Sequence, residues 1–191
     1  MSGATLDAIL FLVSCIFDFY IMVLVIRLVL AYVNADYNHP LTQFVIKLTS
    51  AVVKPLKKFL PDIRGIETAT IVLIFIVTMF KCLILNLLSF GIPNLLGVFI
   101  YSIGDVLRLF LLTISIALLI QALLSFIQPA SPAYGILSRA TAPLLRPLQR
   151  FIPPISGVDI TPIVAIVILQ LLFILIARPI MSYGLAVAVG S

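Results

Sequence analysis

The chain has 191 residues, 63% of them hydrophobic and 10% charged, with a formal net charge of +5 and a mean hydropathy of +1.30. A water-soluble domain of this size needs far more polar surface. The composition therefore excludes one and leaves an integral membrane protein with a single membrane domain.

The opening MSGATLD carries no Lys or Arg. It lacks the basic region of a cleaved signal peptide, so the first apolar segment is expected to remain as a span. That span is predicted over Ile9 to Val33. It is far too long and leucine-rich for a strand, and the lipid core accepts only helices or closed barrels. It contains Cys15, Asp18 and Arg27. Nine residues place Asp18 and Arg27 about 13 Å apart on opposite sides of a helix, so they are not a local pair.

A connection from Asn34 to Glu67 follows, with the lone His39 in a loop stretch and a basic, proline-punctuated phrase, KPLKKFLPDIRGIE (54 to 67). On a helix, Lys47, Lys54 and Lys58 fall in one stripe within about 40° of arc. Leu41, Val45, Leu48, Val52, Leu56 and Phe59 are predicted roughly opposite them. Such a segment is expected to lie in the membrane interface, where anionic lipids add about 1 kcal/mol per nearby basic residue. Pro55 is predicted to bend or break it, and Pro61 to end it. Glu67 stands where it can cap the next span.

The second span is predicted over Thr68 to Ser89, with Lys81, Cys82 and Asn86 inside it. Both cysteines, with no CxxC and no metal-ligand cluster, read as buried packing residues. At 1.5 Å per residue Asp18 and Lys81 lie at similar depths, about 20 Å from the cytoplasmic side, and can pair across the two spans. Residues 90 to 104 form a short apolar linker, expected to be a shallow interfacial helix or re-entrant turn between Pro93 and Gly104. The third span is predicted over Val106 to Ile127, placing Asp105 and Arg108 near the outer, water-accessible surface. Gln128 to Asp159 form the second long connection. The fourth span runs from Ile160 to Ala177 and on past Pro179, with Pro162 tolerated in its first turn. Arg27, Gln121 and Gln170 are expected at one level near the cytoplasmic side.

The second connection repeats the first. RPLQRFIPPISGVD (146 to 159) answers KPLKKFLPDIRGIE at an offset of 92, and QALLSFIQ (121 to 128) answers RLVLAYVN (27 to 34) at an offset of 94. Arg139, Arg146 and Arg150 take the places of Lys47, Lys54 and Lys58. The predicted fold is an all-α membrane protein of four transmembrane helices in two tandem repeats, residues 1–97 and 98–191, each with a basic amphipathic interfacial connection. An even number of spans per repeat gives the copies one orientation, related by a pseudo-two-fold axis along the membrane normal. Lys and Arg crowd both connections and avoid the tails and the central linker. Both connections are therefore expected in the cytoplasm and both termini outside it.

Buried ionisable groups in lipid are functional candidates by default, which singles out Asp18, Arg27 and Lys81, with Gln121 and Gln170 as polar neighbours. There is no HExxH, Ser–His or paired-carboxylate arrangement, so neither a catalytic residue nor a metal or cofactor is expected, and no enzyme. A basic face alone is no nucleic-acid signature, and none is expected as a partner.

The doubled phrase, with VIRLVLAYVN and ALLIQALLSFIQP before its two copies, resembles the YggT (YlmG) family of bacterial inner-membrane proteins over nearly the whole chain. The first copy departs from the family's pattern at Asp62 and Arg64, and the second at Gln149. The resemblance implies a multi-pass inner-membrane protein linked to osmotic or salt stress and to division-site neighbourhoods. Plastid members of the family are tied to cytochrome b6 haem maturation and nucleoid distribution, but nothing here resembles a haem-ligating His pair. The expected role is a scaffold or assembly factor, as a single chain or a homo-oligomer, whose six basic residues (Lys47, Lys54, Lys58, Arg139, Arg146, Arg150) bind anionic lipid headgroups or a membrane or cytoplasmic protein partner. The alternative is a protein affecting cation balance through Asp18, Lys81 and Arg27.

Overall fold

A computed structural model describes residues 3–35, 39–60, 62, 67–151 and 159–190. Within them the chain is helical, without strands: α1 (Gly3–Tyr32), α2 (Pro40–Lys57), α3 (Thr68–Phe90), α4 (Leu95–Ile127), α5 (Pro132–Gln149), α6 (Thr161–Leu172), a π-helical turn (Phe173–Ala177) and α7 (Arg178–Val189). Four stretches are long and apolar enough to cross a bilayer: α1, α3, α4 and the continuous run Thr161–Val189. The chain is thus a multi-pass helical membrane protein, with α2 and α5 between the spans of each repeat. The segments holding Pro61, Arg64, Pro153, Pro154 and Gly157 lie outside the described residues.

The central linker departs from expectation. The third span starts at Leu95, not near residue 106, because Asn94 caps it, its side chain accepting the Leu96 N–H at 3.0 Å. Pro93 stands outside the helix, and Gly104 lies within it against Ala177 and Met181 of the last span. Small residues let two backbones approach closely, the usual device for packing helices in lipid. On α4, Gly97 meets Ala188 and Gly104 meets Met181 and Ala177, while Gly184 of α7 meets the Tyr101 backbone in the same way.

α4 joins the two halves. Its Leu109 belongs to one core cluster with Ile21, Leu24, Val53 and Leu73. Its Leu111, Ile114 and Leu118 belong to the other, with Leu145, Ala165 and Leu169. The outer face of the bundle is apolar, as a lipid-facing surface must be. Cys15 faces outward there, contrary to expectation, whereas Cys82 is buried.

The connecting helices show three faces rather than two. α2 packs on the bundle through Thr42, Val45, Thr49 and Val53. Leu41, Phe44, Leu48 and Val52 face outward on an adjoining stripe, and Phe59 beyond the helix is 83% exposed. Lys47, Lys54 and Lys58 form the third face, about 110° round from the apolar stripe. Most of the apolar set read from the wheel therefore faces away from the bundle, leaving it available to the bilayer. Pro55 does not break α2: the helix continues through it and stops two residues later, as α5 does after Pro147. A proline in the last turn removes only one backbone bond, which explains its tolerance there. His39 is more than a loop residue, since its Nδ1 accepts the Leu41 N–H and caps α2.

Candidate functional site: two basic elbows and a buried charge cluster

The elbow residues stand free. Lys47, Lys54, Lys58, Arg139, Arg146 and Arg150 are all exposed. None of the six makes an ion pair among the described residues. Exposed cations without local partners leave their charge available to a ligand or surface.

Behind the first elbow, Arg27 is buried. Its Nε donates to Glu67 Oε2 at 2.8 Å, its NH1 to Thr49 Oγ1 at 2.8 Å and its NH2 to Glu67 Oε1 at 3.4 Å. Lys57 Nζ donates to Glu67 Oε1 at 2.8 Å and to Asp62 Oδ2 at 3.1 Å, and Thr70 Oγ1 donates to Glu67 Oε2. One carboxylate thus ties α1, α2 and α3 together at the elbow. Glu67 makes no side-chain cap to α3, because its oxygens are already taken by Arg27, Lys57 and Thr70. Burial alone pushes its pKa up, but hydrogen bonds from Arg27, Lys57 and Thr70 outweigh that and hold it at about 2. A depressed carboxylate contributes stability above its unfolded value near 4.5 and loses it as pH falls towards 2. The melting temperature of the detergent-solubilised protein should therefore fall between pH 4.5 and 2, and Glu67→Gln should flatten that stretch of the profile while lowering stability at neutral pH.

The second repeat makes the same contacts with other side chains. Thr141 Oγ1 pairs with Gln121 Oε1 where Thr49 pairs with Arg27. Gln149 Nε2 donates to Asp159 Oδ2 at 2.9 Å where Lys57 holds Glu67. Asp159 also caps the following span, accepting the Thr161 N–H at 2.8 Å. Its pKa is lowered: burial opposes the shift, and hydrogen bonds from Thr161 and Gln149 win. Thr49 and Thr141 match at the offset of 92, but nothing in their spacing marks them as the partners of positions 27 and 121. Gln121 and Gln170 do not join Arg27. Gln121 stays with its own elbow, and Gln170 lines a groove with Arg108, Leu111 and Phe173. A level counted along a helix does not say which helices are neighbours, and neighbours decide the partners.

Deeper in the bundle, Lys81 Nζ donates to Asp18 Oδ1 at 2.6 Å and also pairs with Asp105. Arg108 completes a closed cluster, donating from Nε to Asp105 Oδ1 at 2.7 Å and from NH2 to Asp18 Oδ2 at 2.9 Å. Two acids and two bases from α1, α3 and α4 cancel in charge. Asp105 is 1% exposed, not at a water-accessible surface as the shorter third span implied. Starting α4 at Leu95 puts Asp105 about 15 Å into the helix. Asn86 donates to Cys82 O within α3 and stands apart from the cluster.

Among the described residues no group of His, Cys, Asp and Glu is placed to hold a metal. The chain matches the family model described as CCB3/YggT twice, over residues 6–88 and 100–182. It is 27% identical over 180 residues to an Escherichia coli K12 protein named "Uncharacterized protein YggT", covering 94% of each chain. A Vibrio alginolyticus protein, "Uncharacterized protein in proC 3'region", is 34% identical over 169 residues, 84% of this chain and 88% of that one. An uncharacterised Haemophilus influenzae protein is 32% identical over 163 residues, 84% of this chain and 86% of its own. No solved structure gives a significant match.

Proposed function

The chain belongs to the CCB3/YggT family, and on that premise we propose that it is an inner-membrane scaffold or assembly factor rather than an enzyme. Its working surface is the pair of cationic elbows, held on the cytoplasmic face with both termini on the other side. The observation that carries this reading is a contrast in how charge is used. The intramembrane cluster of Asp18, Lys81, Asp105 and Arg108 is self-compensated, whereas the six elbow cations have no ion-pair partner among the described residues. Compensated charges hold helices together, while uncompensated ones remain free to engage a lipid surface or a protein. That balance favours the platform over a cation pathway. The basic connections also fit the positive-inside orientation.

The test replaces Lys47, Lys54, Lys58, Arg139, Arg146 and Arg150 together with Gln. The platform requires that this variant insert at normal level but fail to rescue a deletion strain. Rescue would overturn the reading. In the same strain, a single cysteine in place of Lys58, on a Cys15→Ser/Cys82→Ser background, should react with an impermeant thiol reagent only once the inner membrane is opened. Labelling from the periplasm would reverse the orientation.

A further inference from the structure

In each repeat a cavity with several polar residues in its wall lies where the elbow meets the end of the first span. The first has a volume of about 280 Å³, with Arg27, Thr42, Ser50, Lys54, Lys57 and Glu67 in its wall. The second, of about 170 Å³, has Gln121, Tyr134, Ala142, Arg146, Gln149 and Asp159. These are the same six positions at the repeat offsets, 94 for Arg27 and 92 for the others. One cavity has been built twice, and the copies differ in charge. In the first, three cations (Arg27, Lys54 and Lys57) face one carboxylate, a net +2; in the second, two cations (Arg139 and Arg146) face one carboxylate, a net +1.

The first cavity also holds hydrogen-bonding capacity that nothing in the chain uses. Thr42 is 2% exposed, and its Oγ1 has no hydrogen-bond partner among the described residues. A buried hydroxyl without a partner is costly and marks a place where something else bonds. Lys54 makes no ion pair among the described residues. Lys57 has three donors and gives two of them, to Asp62 and Glu67. Arg27 uses three of its five N–H groups on Thr49 and Glu67. Water takes about 30 Å³ per molecule in the liquid, so the space admits a group much larger than one solvent molecule.

We infer that the first-repeat cavity is a binding site for a phosphate group, taken either from an anionic phospholipid headgroup or from free phosphate. The inference rests on the reading of the elbow as a basic, membrane-apposed surface. Lys54 and Lys57 supply the charge, Thr42 a hydroxyl and Arg27 its remaining N–H groups. Charge-assisted bonds of this kind are the strong ones. The second cavity has replaced Arg27 by Gln121, Lys57 by Gln149 and Thr42 by Tyr134, and does not bind phosphate in this way.

The second repeat also supplies a clean test. Lys57→Gln recreates the Gln149–Asp159 type of hydrogen bond opposite Glu67, so the elbow stays closed while a cation is removed. The purified full-length protein would be titrated in detergent with short-chain phosphatidylglycerol, with short-chain phosphatidylcholine and, separately, with radiolabelled inorganic phosphate. One equivalent of phosphatidylglycerol and none of phosphatidylcholine identifies a lipid headgroup as the source. Saturable binding of inorganic phosphate at one equivalent identifies free phosphate. Lys57→Gln and Thr42→Val should each weaken that single site about tenfold or more, while Lys47→Gln and Lys58→Gln leave it unchanged. Absence of one-equivalent binding of either probe overturns the site, as does equal weakening by Lys47→Gln and Lys58→Gln, which would leave the surface platform standing. Conversely, if the six elbow changes leave function intact while the unaltered protein binds one equivalent and loses it on Lys57→Gln and Thr42→Val, the platform falls and the site stands.

Discussion

Replacing Lys81 with Met will destabilise the bundle by about 3–5 kcal/mol, read as a loss of unfolding free energy in detergent. Lys81 is the cation between Asp18 and Asp105. Without it, the buried Asp105 and the half-buried Asp18 share Arg108 alone, and one negative charge in the membrane goes uncompensated. Charge balance makes a sharper prediction than the single change. Lys81→Met combined with Asp105→Leu leaves Asp18 facing Arg108, a neutral pair at 2.9 Å, and should recover more than half of the loss. If the double variant is as unstable as the single one, the cluster is not held by charge compensation.

The second large effect belongs to the seam between α4 and α7. Gly97→Ala will cost about 1–3 kcal/mol or more, because the added methyl falls on the Ala188 backbone, which has no side-chain rotation with which to yield. Gly104→Ala should cost less. Its methyl would meet Met181 Cγ at 2.6 Å and the Ala177 carbonyl at 3.0 Å, and a methionine side chain can turn aside. Gly135→Ala in α5 meets nothing within 4 Å and serves as the control, neutral or stabilising by about 0.5–1 kcal/mol. Thermal melts of the three proteins should fall in that order, and an equal loss in all of them would mean that close approach is not what these glycines provide.

Much of the fold was legible because lipid imposes simple rules. Span length, the basic connections and the doubled phrase can be counted in the sequence, and they yield four helices in two repeats. What was not legible came from neighbours. The sequence places Lys81 level with Asp18, but nothing in its spacing points to Asp105, which becomes buried only because α4 begins at Leu95. The repeat itself concealed the cluster: the positions equivalent to Asp18, Lys81, Asp105 and Arg108 are Leu112, Phe173, Phe11 and Ser14, so these charges occur once and not twice. The elbow's inward face was not legible for a related reason. Thr42 and Thr49 look like polar positions on a helical wheel, yet they pack against the bundle, because the apolar stripe beside them has the bilayer as its solvent.

The π turn at Phe173–Ala177 makes the last span intolerant of changes in length. One extra residue in a turn rotates everything beyond it by about 100°, and it stands just before Pro179, whose ring and missing N–H disturb the preceding turn. From its last residue onward, Ala177, Gly184 and Ala188 come into line on α4. Deleting a single residue from the turn would leave the span able to cross the bilayer but would swing that small-residue edge out towards the acyl chains. The frame of the terminal helix, not its greasiness, is what an insertion or deletion there would put at risk.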